Sequence, residues 1–140
     1  QQAAAFRGRL ILTPHHGEMA TLTGMDEEEV GADPQRISSD VARDLGAIVV
    51  LKGSDTVIAA PDGTKLHYGG GGTGLATGGS GDVLAGAIGG LLSRGTAPLD
   101  AAGWGVWLHG QSGRRVATTS GPIGFLAREI PAEFPRLLPQ

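Results

Sequence analysis

Short aliphatic runs alternate with amphipathic stretches along most of this chain, and that alternation predicts strands interleaved with helices. Residues 10–12 form a short apolar run that stops at Thr13 and Pro14, so they predict a buried strand that ends in a loop. Residues 48–51 are aliphatic at every position. That pattern is typical of a strand covered on both faces, as in a parallel sheet between helix layers.

The first half of the chain also contains signals for helix boundaries. Residues 18–22 are expected to form one or two helical turns closed by Gly24. Asp33 and Pro34 are a suitable cap and first residue for a longer helix, which Gly46 would end. The apolar face predicted for this longer helix consists of Ile37, Val41, Ala42 and Leu45.

A β-hairpin is predicted after the aliphatic strand. Residues 56–60 and 65–68 are the two candidate strands, and they flank a Pro-Asp-Gly turn at residues 61–63. The turn is short enough to make the two strands neighbours in one sheet.

The second half of the chain is predicted to be helical after a glycine-rich loop that ends at Asp82. A buried helix is expected from Asp82 to a stop at Gly95, with Gly86, Gly89 and Gly90 allowing close approach to a neighbour. Pro98 begins another helical stretch. A last amphipathic piece with Phe125, Leu126 and Ile130 follows Gly121 and Pro122. The order strand, helix, strand, hairpin, loop and three helices predicts a layered α/β fold.

The length and net charge of the chain limit the kinds of function expected for it. A chain of 140 residues with 40% hydrophobic content is large enough for one modest domain. A net charge of −3 without a cluster of Lys or Arg argues against a nucleic-acid or membrane surface, so a small-molecule partner is expected. The absence of cysteine is compatible with a cytoplasmic protein. Because the chain starts at Gln1 and leads directly into a strand, we expect it to be a fragment.

The glycine-rich segment around Asp82 is the strongest candidate for chemistry. Gly78, Gly79 and Gly81 would let the backbone adopt φ > 0 and turn consecutive N–H groups toward one point, at the positive end of the helix that follows. Asp82 would place a carboxylate beside that anion site. An Asp at this place is also a common helix cap, and the segment lacks the Lys of a Walker A loop.

Polar residues also follow the two predicted strands of the first half. Lys52 begins a polar segment just past the aliphatic strand, where open parallel sheets bind ligands. The alternative for Lys52 is a solvated cation at a strand end. His15 and His16 follow the first strand, and we interpret them as loop or substrate-contact residues rather than metal ligands, because adjacent histidines lack the spacing of a zinc pair.

Four segments together resemble a known family, the ADP-dependent NAD(P)H-hydrate dehydratases of the ribokinase-like superfamily. They are Thr-Pro-His-His-Gly-Glu at 13–18, Val-Leu-Lys-Gly-Ser-Asp-Thr-Val-Ile at 50–58, Gly-Leu-Ala-Thr-Gly-Gly-Ser-Gly-Asp-Val-Leu-Ala-Gly at 74–86 and Trp-Leu-His-Gly-Gln-Ser-Gly at 107–113. Their order and spacing agree with the family along nearly the whole chain. The resemblance implies a single ribokinase-like α/β/α domain over residues 1–140 that lacks the N-terminal half of the family's catalytic domain.

The resemblance implies repair of damaged nicotinamide cofactors, in which hydrated NADHX or NADPHX loses water and a nucleotide phosphate is consumed. ADP or ATP with Mg²⁺ would be the cofactors, and no metal is held by a dedicated site of the chain. Asp82 would be the catalytic base and would also contact the substrate, together with His15. The implied nucleotide-binding residues are Lys52, Gly53, Ser54, Asp55, Thr56, Gly78, Gly79, Ser80 and Gly81.

The residues of the chain are also compatible with two other functions. A ribokinase-like small-molecule kinase would present the same glycine-rich anion site with a terminal acid. A fragment that only binds an adenine nucleotide is the non-enzymatic alternative, and such a fragment would associate with a separate N-terminal half or with a second copy of itself.

Overall fold

The computed structural model describes residues 3–6, 8–70 and 72–138. The chain divides into two compact units, Gln1–His67 and Tyr68–Gln140, and each is described by itself. The sheet begins in the first unit, and the second unit carries the two longest helices.

A four-stranded mixed sheet organises the first unit. Its strands are β1 (Ile11–Leu12), β2 (Ile48–Leu51), β3 (Asp55–Ala59) and β4 (Lys65–Gly69), in the order β1-β2-β3-β4. β1 runs parallel to β2, with Ile11 opposite Ile48, whereas β3 runs antiparallel to β2, with Ile58 opposite Val50. The predicted hairpin strands are confirmed, and all four residues of β2 are buried as expected. The prediction of a parallel sheet is wrong on one side of β2, because the short turn after Leu51 reverses the chain.

The described part of the first unit also contains a short 3₁₀ helix at Ala3–Phe6 and three α-helices, which are α1 (His16–Thr23), α2 (Glu27–Ala32) and α3 (Pro34–Leu45). The bounds of α3 agree with the prediction, since Asp33 accepts a hydrogen bond from the Arg36 N–H at 3.2 Å and Gly46 ends the helix with φ = 63°. α1 starts two residues before the predicted turns. The sequence analysis missed α2, although the Asp26 N–H donates to the Glu29 carboxylate at 2.9 Å, as in a capping box.

The core of the first unit lies where these helices cover the sheet. Burial of aliphatic side chains from both elements is the main driving force for their packing. The fully or nearly fully buried members of this cluster are Met19, Val30, Ile37, Ala42, Val49, Leu51 and Ala59.

One polar side chain in α3 is buried without compensation, which gives a stability prediction. Ser38 is 0% exposed and its Oγ has no hydrogen-bond partner among the described residues. Because a buried unpaired hydroxyl costs about 1–3 kcal/mol, Ser38→Ala is expected to raise the free energy of unfolding by about 1 kcal/mol or more. Urea unfolding followed by circular dichroism measures this change. Ser39→Ala is the matched control, since Ser39 donates to the Gln35 carbonyl at 2.8 Å, and a stabilisation of equal size there would contradict the prediction.

The second unit consists of α4 (Ser80–Ser93), α5 (Pro98–Ser120) and three short 3₁₀ helices at Thr73–Ala76, Ala127–Glu129 and Pro131–Arg136. The two long helices pack on each other. None of the described helices combines the length and the apolar character that a membrane span requires.

The predicted third helix of this unit is wrong. Gly121 and Gly124 adopt φ values of 96° and 95°, and Pro131 and Pro135 interrupt the segment that follows, so only 3₁₀ turns form. The burial of Phe125 and Ile130 is nevertheless as expected, and both pack with Val116 of α5. Leu126 is exposed.

α4 is buried on one face only, which corrects the expectation of a buried helix. Leu84 and Ile88 form the buried face, whereas Gly86, Gly89 and Gly90 are exposed, and a Cβ at any of these three glycines would meet nothing within 4 Å. The close approach is made by Gly105 of α5, where a Cβ would lie 2.5 Å from Ile88 Cγ1.

Candidate functional site

The first turn of α4 presents backbone donors that have no partner among the described residues. Gly79 is the N-cap with φ = 85°, and the Ser80 N–H donates to the Thr77 carbonyl at 3.2 Å. The first intrahelical bond runs from the Val83 N–H to the Gly79 carbonyl at 3.2 Å, so the N–H groups of Gly81 and Asp82 precede it. Two free donors at the positive end of a helix are suited to an anionic oxygen.

The glycines of this segment differ in their roles from the prediction. Of Gly78, Gly79 and Gly81, only Gly79 has a positive φ. Gly81 is the second residue of α4, and Gly78 is exposed with no atom within 4 Å of the position that a Cβ would take. The donor geometry is therefore produced by one left-handed residue and a helix N-terminus, rather than by a run of residues with positive φ.

Asp82 is the third residue of α4, and its side chain is exposed. The helix starts two residues before the predicted boundary, at Ser80. A carboxylate in the first turn stabilises a helix through its dipole, so Asp82 has a structural role in addition to the chemical role predicted for it. Residues 78–82 form one continuous turn, which brings all the predicted site residues of this unit together.

A buried hydrogen bond connects this turn to α5. Ser80 Oγ lies 2.9 Å from His109 Nε2, and both side chains are buried, with exposures of 4% and 9%. The sequence analysis identified the segment that contains His109 but assigned it no function. The available signal was a titratable residue in the middle of a mostly apolar helix face.

α5 also holds the beginning of the glycine-rich segment. Arg114 donates from Nε to the Gly70 carbonyl at 2.9 Å, and Gln111 donates from Nε2 to the Tyr68 hydroxyl at 3.1 Å. Further along the segment, Leu75 packs over Gly113, where a Cβ would lie 2.5 Å from Leu75 Cδ2. Residues of one helix therefore fix the glycine-rich segment at its start, middle and end.

In the first unit, the ends of β1 and β2 bring two predicted residues together. His15 and Lys52 form an isolated parallel bridge, and the Lys52 N–H donates to the Pro14 carbonyl at 2.8 Å. The carboxyl ends of parallel neighbouring strands lie at one edge of a sheet, so the two loops meet there.

Glu18 is an acid at this edge that the sequence analysis did not include in the site. The His15 N–H donates to Glu18 Oε2 at 2.8 Å, the Glu18 N–H donates to His15 Nδ1 at 3.1 Å, and Lys52 Nζ lies 3.6 Å from Glu18 Oε2. The backbone hydrogen bond from His15 lowers the pKa of Glu18, and the charge of Lys52 lowers this pKa further. The Lys52 side chain is 25% exposed and pairs with Glu18, so Lys52 is not a fully solvated cation.

The two histidines occupy different environments. His15 is exposed and caps α1 through Nδ1, and its Nε2 lies 3.6 Å from Glu18 Oε1. His16 is the first residue of α1, and its Nε2 lies 3.1 Å from the position of a Cβ on Gly53. No group of three or more His, Cys, Asp or Glu side chains that could hold a metal ion occurs among residues 3–6, 8–70 and 72–138.

The rest of the polar segment lies on the surface after β2. Gly53, Ser54 and Asp55 are exposed, whereas Thr56 is half-buried in β3. Asp55 Oδ1 lies 3.8 Å from His67 Nε2, so this carboxylate has a neighbour within the first unit. The predicted residues thus form two groups, one in each unit.

Comparison with proteins of known sequence identifies relatives. The family model described as NAD(P)H-hydrate dehydratase matches residues 1–136. The ADP-dependent (S)-NAD(P)H-hydrate dehydratase of Xanthomonas campestris is 47% identical over 128 residues, which are 91% of this chain and 44% of that protein. The chain therefore spans less than half the length of this relative.

Solved structures agree with the sequence relatives. The ADP/ATP-dependent NAD(P)H-hydrate dehydratase of Bacillus subtilis, co-crystallized with ATP and Mg²⁺, is similar with a TM-score of 0.87 and 36% identity over 91% of this chain and 46% of that chain. A ribokinase-like superfamily protein from Enterococcus faecalis gives a TM-score of 0.77 at 31% identity, over 94% of this chain and 44% of that chain. The predicted ribokinase-like α/β fold is confirmed, and this chain belongs to the NAD(P)H-hydrate dehydratase family.

Proposed function

We propose that this chain takes part in the nucleotide-dependent dehydration of NADHX and NADPHX to NADH and NADPH, as a single ribokinase-like domain over residues 1–140. The observation that carries the proposal is the first turn of α4, where free N–H groups of Gly81 and Asp82 lie beside the Asp82 carboxylate. This turn belongs to one of the four segments that resemble the family.

The groups at this turn are suited to phosphoryl transfer followed by elimination. The Asp82 carboxylate accepts the proton of the substrate hydroxyl as its oxygen forms a bond to phosphorus and the bond to the leaving ADP or AMP oxygen breaks. The two N–H groups stabilise charge on the transferring phosphoryl group. Loss of the phosphorylated hydroxyl as inorganic phosphate, with a proton of the neighbouring carbon, restores the reduced nicotinamide ring.

Adenine nucleotide binding is proposed for two segments, residues 52–56 and 78–81. Lys52 supplies a cation at the sheet edge, and Gly78 leaves space beside the free donors of α4. His15 is exposed and is proposed to contact the substrate through its imidazole. Mg²⁺ fits this donor set as an ion bound mainly through phosphate oxygens, because one carboxylate and no cluster of ligands is found at the described turn. When bound, Mg²⁺ supplies charge neutralisation.

Two further points belong to the proposal, the location of the protein and its association. The protein is placed in the cytoplasm, in keeping with its lack of cysteine. Association with a second copy or with the missing N-terminal half of the family's domain is part of the same proposal. Light scattering after gel filtration measures that association.

Nucleotide binding is the first test of this proposal. Isothermal titration calorimetry with ADP and Mg²⁺ is expected to show binding by the native chain and at least tenfold weaker binding by Gly79→Val. A β-branched residue is strained at φ = 85°, so the first turn of α4 would lose its geometry. Gly95→Val is the matched control, because Gly95 has φ = 88° at the other end of α4 and meets nothing within 4 Å. Equal loss of ADP binding in both variants, or no binding by the native chain, would contradict the site.

Turnover distinguishes the proposed reaction from its alternatives. The absorbance of reduced nicotinamide is expected to appear when NADHX and ADP are mixed with the protein, and inorganic phosphate is expected to be released. A phosphorylated product that persists would favour the ribokinase-like kinase. ADP binding without either product would favour a nucleotide-binding fragment.

A further inference from the structure

The buried contact between α4 and α5 joins Ser80, which belongs to the proposed nucleotide-binding segment, to His109, which has no role in the proposed function. Ser80 is the first residue of α4, and its hydroxyl is 2.9 Å from Nε2 of His109. Gly81 and Asp82, which carry the free N–H groups, are the next two residues. Burial of two polar side chains, here with exposures of 4% and 9%, costs free energy unless they are hydrogen-bonded. The hydrogen bond between Ser80 and His109 offsets this cost.

We propose that His109 is a positioning residue that holds the Ser80 hydroxyl and thereby orients the Gly81 and Asp82 N–H groups toward an anionic phosphate oxygen. This inference rests on the proposed function for its ligand. His109 does not touch the anion, and its effect passes through the Ser80 side chain and the helix turn.

Either tautomer of His109 makes the contact. Nε2–H donates to Ser80 Oγ, or the Ser80 O–H donates to an unprotonated Nε2. Both arrangements fix the rotamer of Ser80 and therefore the position of its backbone. The Ser80 N–H adds a second restraint through the Thr77 carbonyl at 3.2 Å.

A glycine-rich turn needs such a restraint. Glycine loses more conformational freedom on ordering than any other residue, and Gly78, Gly79 and Gly81 surround Ser80. A turn that is ordered before the ligand arrives does not lose that entropy on binding, so its affinity for the anion is higher. α5 is a suitable support because it is long and well buried along one face.

The test compares His109→Phe, His109→Gln and Ser80→Ala with the double variant Ser80→Ala/His109→Phe. Phe fills the space of the imidazole without a hydrogen bond, whereas Gln places an amide nitrogen near the position of Nε2. Ser112→Ala is the matched control, since Ser112 is fully buried in α5 and its Oγ has no partner among the described residues. The measurements are amide hydrogen exchange at Gly81 and Asp82 in the ligand-free chain, ADP affinity by calorimetry, and thermal unfolding.

His109→Phe and Ser80→Ala are each expected to speed exchange of the two amides and to weaken ADP binding roughly five- to tenfold, the effect of losing one hydrogen bond. The double variant is expected to be no worse than either single variant, and His109→Gln is expected to recover most of both losses. Ser112→Ala is expected to leave exchange and affinity unchanged.

Unchanged exchange at Gly81 and Asp82 in His109→Phe would overturn the inference. So would additive effects of the two substitutions, or a His109→Gln variant as impaired as His109→Phe, since either result would mean that the hydrogen bond between His109 and Ser80 is not the cause of the loss. If the native chain does not bind ADP, the proposed function fails, and the exchange rates in the ligand-free chain still decide whether His109 orders the turn.

Discussion

Replacement of Asp82 by Asn is expected to lower turnover of NADHX by about 10²- to 10⁴-fold, the contribution that a positioned general base typically makes. The amide is nearly isosteric with the carboxylate but does not accept the proton of the substrate hydroxyl. The N–H groups of Gly81 and Asp82 are backbone groups and are kept. ADP affinity is therefore expected to change little. Calorimetry and a single-turnover assay of reduced nicotinamide measure the two quantities separately.

Asp100→Asn is the matched control for this substitution. Asp100 is the third residue of α5, as Asp82 is the third residue of α4, so both substitutions remove the same favourable interaction of an acid with a helix N-terminus. That interaction is worth about 0.3–1 kcal/mol, and both variants are expected to lose stability in this range. Only Asp82→Asn is expected to lose turnover. Undiminished turnover in Asp82→Asn would remove Asp82 from the role of base.

Local signals in the sequence predicted the elements whose boundaries depend on neighbouring residues. Asp33, Pro34 and Gly46 set the ends of α3, and each acts on its own backbone. The aliphatic run of β2 was equally clear, since all four positions are buried. The direction of the neighbouring strand was not predictable from that run, because burial on both faces is possible in a mixed sheet as well as in a parallel one.

At the C-terminal end of the second unit, the local sequence pattern did not predict the secondary structure correctly. Apolar residues at positions 125, 126 and 130 have helical spacing, and two of them are buried as predicted. The backbone nevertheless forms 3₁₀ turns, since glycines with positive φ and two prolines limit each segment to a few residues. Periodicity therefore predicted burial here better than it predicted secondary structure.

For the candidate site, the sequence predicted which segments matter but not the contacts that order them. Asp82 and the glycines before it were identified from their spacing, whereas the conformation of Gly81 was predicted incorrectly because it is helical rather than left-handed. The bond between Ser80 and His109 joins residues 29 positions apart. Such a pairing depends on how α5 packs on α4, which a single sequence does not specify.

Substitution of Gly105 by Val is expected to lower the free energy of unfolding by about 1–3 kcal/mol, because it overpacks the contact between α4 and α5. A Cβ at Gly105 would lie 2.5 Å from Ile88 Cγ1, so the Ile88 side chain would have to move, and the Ile88 backbone nitrogen, already at contact distance of 3.4 Å, leaves no room for the larger side chain of Val. Thermal and urea unfolding of the variant measure the loss. Combination with Ile88→Ala removes the nearest clashing atom, so the double variant is expected to lose less than the sum of the single effects.

Gly86→Ala, on the exposed face of α4, is expected to raise the stability of the protein rather than lower it. Gly86 is helical and exposed, and a Cβ there would meet nothing within 4 Å. Alanine restricts the unfolded chain more than glycine does and has the higher helix propensity, so a stabilisation of about 0.5–1 kcal/mol is expected. The two glycines therefore differ in the sign of the effect although both lie within long helices. A loss of stability in Gly86→Ala comparable to that in Gly105→Val would mean that the open face of α4 is covered in solution.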